Sequence, residues 1–243
     1  MNKVLCKQLA ADYCCRPEDV LDGKNHFTIH QCLPERRKFQ EDKTCYLKIA
    51  IIRGKILFSG QQGIIDWCRE KYEKDGGEWF FEAENLFALE NRIREDGYKI
   101  KMVHPFYIAE AATDVDTKDY DIRFYEKDEI EQFRGDNRYD EAYAFSPDAP
   151  DMLGVSASKD GRILGMAGAS CDSDTMWQIG INVEDIERGN GIGTMLVALL
   201  KNEVLKRGKL PYYGTAMSHV ASQRVALSAG FVPAWVELCT SKL

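Results

Sequence analysis

Apolar and polar positions alternate in two rhythms along this chain, and the rhythm changes several times. From 44 to 58, TCYLKIAIIRGKILF holds two apolar runs around Arg53-Gly54, the pattern of a β-hairpin with a short turn. From 63 to 74, GIIDWCREKYEK places apolar residues at 64, 65, 68 and 72, a helical spacing that Gly76-Gly77 breaks. A second helix is predicted over 83–96, with Leu86, Phe87, Leu89 and Ile93 on one side and Gly97 after its end. YKIKMVHPFYIA follows as a strand. The acidic, polar stretch ATDVDTKDYD (112–121) reads as a boundary, which predicts domains of 1–117 and 118–243.

After the boundary, YDIRFYE reads as a strand, KDEIEQFR as a short helix and 135–151 as loop with room for one helical turn. A hairpin follows, MLGVSAS and ILGMAGAS around a turn carrying Asp160-Gly161, a favoured type I′ pair. The remaining elements are a strand over 176–183, a helix over about 192–207, a strand over 210–217, a helix over 222–230 and a last strand over 231–239. The order β-β-β-α-β-α-β, with two helices returning the chain to the sheet, predicts a mixed, partly parallel sheet: an α/β (α+β mixed sheet) class. Residues 1–117 form a smaller α/β unit with no recognisable motif.

Composition narrows the function. The chain has 243 residues, 44% of them apolar, enough for a packed core and for one large or two ordinary domains. Net charge is −7. Up to residue 118 there are 19 Lys and Arg against 20 Asp and Glu, and beyond it 13 against 19, so neither part offers the basic stripe of a nucleic-acid binder. No apolar run approaches the ~18 residues of a membrane span. The opening MNKVLCKQLAADYCC lacks the apolar core of a signal peptide. The eight cysteines have no CxxC pair, so the expectation is free thiols, small buried hydrophobes of a cytoplasmic protein, with no metal site.

The chemistry-bearing stretch is ERGNGIGTMLVALLKNEVLKRG (187–208). Glycines at 189, 191 and 193 stand between a strand and an amphipathic run with apolar residues at 192, 195, 196, 199, 200 and 204. A helix start exposes unpaired N–H groups and the positive end of the dipole, and glycines let a phosphate approach the backbone. Arg188 adds a charge. A Walker loop would need Gly-Lys and a dinucleotide fingerprint would need GxGxxG with an acid about 20 residues on. The spacing here is GxGxG, and the region that far on is LPYYGTA.

R-x-x-G-x-G from Arg188 to Gly193, with HVASQRVALSAGF (219–231) downstream, resembles the paired signatures of the GCN5-related N-acetyltransferase (GNAT) superfamily, in a two-domain, bacterial-type form. The match covers about 150–243 clearly and 119–150 loosely. The resemblance implies the GNAT acyl-CoA N-acyltransferase fold, here with an additional small N-terminal α/β domain whose residues 1–110 are expected to pack over the acceptor side. It implies acetyl-CoA as co-substrate and direct acetyl transfer to a primary amine of a small molecule or peptide. A homodimer is among the assemblies it allows. It assigns the pantetheine arm to the backbone of Ile181, Asn182 and Val183, in a cleft between splayed strands 176–183 and 210–217. It assigns the pyrophosphate to Arg188, Gly189, Asn190, Gly191, Ile192, Gly193 and Thr194, with His219 and Ser222 as further cofactor contacts. Ala226 stands where the family often carries a Tyr that protonates the departing thiolate. Ser222, Ser228, Tyr212 and Tyr213 are the hydroxyl alternatives. Of the pair Tyr212-Tyr213, strand alternation puts one in the core and leaves the other for the cleft. Glu184, Asp185, Glu187, Asp172 and Asp174 are the candidates for general base, each read first as a solvated loop charge; Glu184, directly after the pantetheine-binding strand, is the first choice. The missing Tyr leaves a second reading open, a non-catalytic acyl-CoA sensor or scaffold.

Overall fold

The computed structural model describes residues 2–38, 45–117 and 120–243. Lys118 and Asp119, inside the expected boundary stretch, and Thr44, at the edge of the first hairpin, lie outside the described residues. In chain order the elements are α1 (Lys3–Asp12), β1 (His26–Ile29), β2 (Leu47–Ile52), β3 (Lys55–Gly60), α2 (Gln62–Tyr72), α3 (Ala83–Glu95), β4 (Tyr98–Ile108), β5 (Asp121–Glu126), α4 (Lys127–Ile130), β6 (Asp151–Lys159), β7 (Arg162–Cys171), β8 (Met176–Val183), α5 (Ile192–Lys206), β9 (Leu210–Gly214), α6 (Val220–Ser228) and β10 (Val232–Lys242). Short 3₁₀ turns lie at Glu131–Phe133, Asn137–Tyr139 and Asp185–Glu187. Both hairpins turn through two residues with positive φ, Arg53-Gly54 and Asp160-Gly161, as type I′ geometry requires.

The chain divides into two compact units, Met1–Phe106 with Ala234–Leu243, and Tyr107–Pro233. In the first, strand order is β1-β3-β2-β10-β4. β1 runs parallel to β3, and β2 is antiparallel to β3 and to β10. α1 and β1 are elements that the sequence reading did not assign. Leu47, Ile49, Ile56 and Phe58 of the sheet pack with Ile64, Ile65 and Cys68 of α2 and Leu89 and Ile93 of α3. Phe87, expected on the packed side of α3, is 69% exposed. Leu86, Leu89 and Ile93 share one stripe at i, i+3 and i+7, and Phe87 lies one residue off it.

Arg37 anchors a buried ionic group in this unit. Its Nε donates to Asp12 Oδ2 at 2.5 Å and its Nη2 to Glu237 Oε2 at 2.7 Å, while Trp235 Nε1 donates to the same Glu237 oxygen at 3.1 Å. The guanidinium lies 4.9 Å from the Trp235 ring centre.

In the second unit strand order is β9-β8-β7-β6-β5, with the end of β4 beside β9. β5 to β8 are antiparallel neighbours and β8 runs parallel to β9. One face carries α5, whose Ile192, Leu196, Val197, Leu200 and Val204 are buried against Leu153, Val155, Ala167, Ala169 and Ile179. The opposite face carries a smaller cluster of Tyr125, Ile130, Phe133, Tyr139, Ala142, Tyr143 and Met166.

The eight cysteines are all free, but only Cys6 and Cys68 are buried and Cys32 is exposed, so small buried hydrophobe describes two of them. Among the described residues no helix is long and apolar enough to cross a membrane.

Candidate active site

β8 and β9 begin as neighbours and then part. Their pairing runs Met176↔Leu210, Trp177↔Pro211, Gln178↔Tyr212 and goes no further, although β8 continues to Val183. From Ile179 onward one edge of β8 therefore has no partner strand among the described residues. The other edge stays paired with β7 through Gly165↔Val183. Glu184 N–H donates to Leu164 O at 2.9 Å, which sets the alternation of the ladder. Every second residue counted back from Glu184 turns its peptide groups to β7, Asn182 among them. Ile181 and Val183 turn theirs to the open edge.

At the end of that edge the chain makes the Asp185–Glu187 turn and enters α5. Gly189 and Gly191 have φ of +88° and +81°, the left-handed region where a side chain is strained. Gly191 is the N-cap of α5 and offers no side-chain acceptor to the first turn. The amides of Ile192, Gly193 and Thr194 thus start a fifteen-residue helix uncapped. Gly193 has a different reason to lack a side chain: a Cβ there would lie 3.3 Å from Val183 and 3.7 Å from Val225. The loop glycines consequently serve backbone angle at 189 and 191 and helix–strand approach at 193. Arg188 pairs with Asp185 at 2.8 Å on the surface, and Asn190 Nδ2 donates to Glu187 Oε2 at 3.2 Å.

Two of the hydroxyl candidates meet. Tyr213 Oη and Ser222 Oγ are 2.8 Å apart, one donating to the other. Tyr213 leaves β9 just past its last pairing with β8, and Ser222 lies in the first turn of α6. Burial pushes the Tyr213 phenol up; the Ser222 hydrogen bond pulls it down, and the charge of Glu141 adds to the rise. The phenol therefore stays protonated at neutral pH. Ala226, one turn after Ser222, is fully buried beside Tyr213 and Phe231 in the core.

Both tyrosines are buried, and strand alternation sends them to different partners, Tyr213 to Ser222 and Tyr212 to Asp172. Tyr212 Oη donates to Asp172, and bonds Gln178 Oε1 at 3.0 Å. Asp172 is not a solvated loop charge; it is fully buried and also accepts from Ser170 Oγ at 2.8 Å. Glu184 follows β8 and accepts from Arg162 Nη2 at 2.6 Å. His219 is the exposed N-cap of α6, its own N–H donating to Ala216 O at 3.0 Å and its side chain making no cap bond. Asn182 directs its side chain to the face opposite α5, where Oδ1 accepts from the N–H groups of Glu141 at 3.0 Å and Ala142 at 2.7 Å.

Residues 109–231 match the model of the acetyltransferase (GNAT) family. The chain belongs to that family. Its match spans half of the chain and coincides with the second compact unit. Three solved structures are similar to the chain. A GCN5-related N-acetyltransferase-like protein from Streptococcus suis 89/1591 is 13% identical over 98% of each chain, with a TM-score of 0.51. A GNAT-family acetyltransferase from Colwellia psychrerythraea is 14% identical over 84% of each, at 0.46. The yncA protein of Salmonella typhimurium, solved with acetyl-CoA, is 16% identical over 51% of this chain and 94% of that one, at 0.37. No curated protein matches in sequence.

The first unit brings Asp19, Asp22 and His26 within metal-ligand reach of one another. A cation is already there: Lys55 Nζ lies 3.0 Å from Asp22 Oδ1 and donates to the Asp19 carbonyl, and Arg16 pairs with the Asp19 carboxylate at 2.6 Å. The trio reads as an ion-pair cluster.

Proposed function

We propose that this GNAT acetyltransferase moves the acetyl group of acetyl-CoA directly to the primary amine of a small molecule or peptide. The observation that carries the reading is the parted edge of β8 leading straight to the uncapped start of α5. The open peptide groups of Ile181 and Val183 suit the amides of a pantetheine arm. The N–H groups of Ile192, Gly193 and Thr194, the glycines before them and Arg188 suit a pyrophosphate, because the first turn of a helix offers unpaired donors and about half a positive charge. Asn190 lies within that loop, and His219, at the start of α6, is a further candidate contact. The bound thioester supplies an activated acetyl carbon. The protein's part is to hold that carbon in the strand gap, exclude water and handle two protons.

Tyr213 is suited to the proton that the departing thiolate needs. Its phenol is held protonated by burial, and Ser222 can reload it from the α6 side. That pair answers the absence of a Tyr at Ala226: the hydroxyl comes from β9 instead of α6. This weakens the non-catalytic reading, sensor or scaffold, whose support was Ala226 alone. Glu184 as base is weakened by its Arg162 partner, which already occupies one oxygen of the carboxylate.

Calorimetry with acetyl-CoA tests the reading. We expect saturable binding, and at least a tenfold loss in Gly191→Val, because a β-branched residue at φ near +81° distorts the helix start. Absence of binding in the native protein would sink the proposal, and unchanged affinity in the variant would remove the loop from it.

A further inference from the structure

On the face of the second unit opposite α5, three glycines stand side by side. Gly154 of β6 pairs with Gly168 of β7, which pairs with Gly180 of β8. A Cβ at Gly154 would collide with Tyr143 Oη, one at Gly168 with Ala142 O, and one at Gly180 with Glu141 O. The three form a trough, and the segment 141–143 lies in it. Asn182, on the same face two residues beyond Gly180, clamps the segment. It accepts from the N–H groups of Glu141 and Ala142, and its Nδ2 donates to Asp140 Oδ1 at 3.0 Å. Tyr143 adds a hydrogen bond to Met166 Sδ at 3.1 Å.

The backbone of Glu141 is therefore held at its N–H by Asn182, with its carbonyl lying against Gly180 where a side chain would stand. That residue lies just past Gln178, where β9 leaves β8. Most neighbouring carboxylates are engaged: Glu184 with Arg162, Asp185 with Arg188, Asp172 with Tyr212 and Ser170, Asp140 with Asn182. The Glu141 carboxylate is exposed and has no hydrogen bond or ion pair among the described residues. It is close enough for its charge to raise the Tyr213 phenol.

We propose that Glu141 is the carboxylate that takes the proton of the attacking amine. The assignment rests on the acetyltransferase reading above. The amine nitrogen bonds to the acetyl carbon as one N–H proton passes to Glu141. The carbon–sulfur bond breaks with its electron pair going to sulfur, and Tyr213 protonates the thiolate. Glu141 then returns its proton to solvent, and Tyr213 regains one through Ser222, whose hydroxyl takes a proton from solvent as it gives its own. Glu141 lies on the sheet face opposite α5 and Tyr213 belongs to the α5 side, which keeps the two proton transfers apart.

The test compares native protein, Glu141→Gln, Glu141→Asp and Glu184→Gln. Acetyl-CoA affinity is measured by calorimetry, and acetyl transfer to spermidine, benzylamine and an alanyl dipeptide is followed against pH by thiol release. We expect Glu141→Gln to bind acetyl-CoA as the native protein does but to lose kcat by about 10²-fold, the usual scale for one general base, together with the acidic limb of the rate profile. Glu141→Asp should recover part of both. Unchanged kcat and pH profile in Glu141→Gln would overturn the assignment, as would loss of the acidic limb in Glu184→Gln alone. A native protein that binds acetyl-CoA yet acetylates none of the three amines would overturn the transfer reading, and this proposal with it.

Discussion

At the scale of single residues, the second unit makes two uncommon choices. Tyr213 and Ser222 form a partly buried hydroxyl pair where the family's helix position holds Ala226. If Tyr213 is the acid, Tyr213→Phe should lower kcat by about 10²-fold while leaving acetyl-CoA affinity within twofold. A kcat equal to native in steady-state assays would assign the leaving-group proton to water. The other choice is Lys201, fully buried in α5, with Nζ donating to Thr113 Oγ1 at 3.0 Å. Burial lowers its pKa. The unfolded chain takes up the lysine proton more readily than the folded one, so stability falls as pH drops below the ordinary lysine range. Lys201→Met should therefore raise stability by about 1–2 kcal/mol at neutral pH, and by less above the lysine range. Urea midpoints at the two pH values check this; equal gains at both would refute the charge argument.

At the scale of elements, the working parts come from mismatched lengths and missing side chains. β8 outruns its pairing with β9, and this leaves Ile181 and Val183 with free peptide groups. α5 starts on glycines, and this leaves its first amides uncapped. The β6-β7-β8 face omits three side chains so that 141–143 can lie against the sheet. Gly180→Ala would put a methyl where the Glu141 carbonyl now sits. Overpacking of this kind costs about 1–3 kcal/mol, and here the segment should yield before the strand does. We expect acetyl-CoA affinity to persist and acetyl transfer to fall at least tenfold. Hydrogen exchange should show loss of protection at the Glu141 and Ala142 amides; retained protection would mean that the trough tolerates the methyl.

At the scale of the whole molecule, the last strand belongs to the first unit. β10 stands between β2 and β4, and Glu237 on it is bonded by Arg37, which also holds Asp12 of α1. For Glu237, burial alone would raise the pKa, but Arg37 and Lys48 outweigh it and the net shift is downward. Asp19 in the same unit is held down to about 2 by its hydrogen bonds with Arg16. Carboxylates with lowered folded pKa values give stability that is complete above the ordinary carboxylate range and is lost as pH falls through the folded values. The first unit should therefore unfold between about pH 4 and pH 2. Glu237→Gln should move that transition to higher pH, because Arg37 loses a buried counter-charge. Circular dichroism against pH reads both; a variant with the native acid midpoint would show that Glu237 carries none of the linkage.

The sequence by itself was enough for the two hairpins, α2, α3, the strand–glycine–helix unit at β8 and α5, and the family, because each rests on local periodicity, turn chemistry or contiguous motifs. The Gly-x-Gly-x-Gly spacing excluded other phosphate loops before any fold was known. α1 and β1 were not read from the sequence, although Leu5, Cys6, Leu9 and Ala10 keep a helical period; β1 is only four residues long, too short for its alternation of Phe27 and Ile29 to stand out, and Phe87 was misplaced by a single step of helical phase. What the tertiary structure decided is contact between residues far apart in the chain. Tyr213 meets Ser222 and Asp172 disappears beneath Tyr212. Glycines 154, 168 and 180 fall into one register, and Glu141 is pinned by Asn182 across 41 positions. None of these leaves a local pattern, since strand register and the packing of a loop on a sheet are set by long-range pairing. The last strand shows the same limit: its apolar alternation announces a strand, and only the pairing of β10 with β2, and of Glu237 with Arg37, says which sheet it completes.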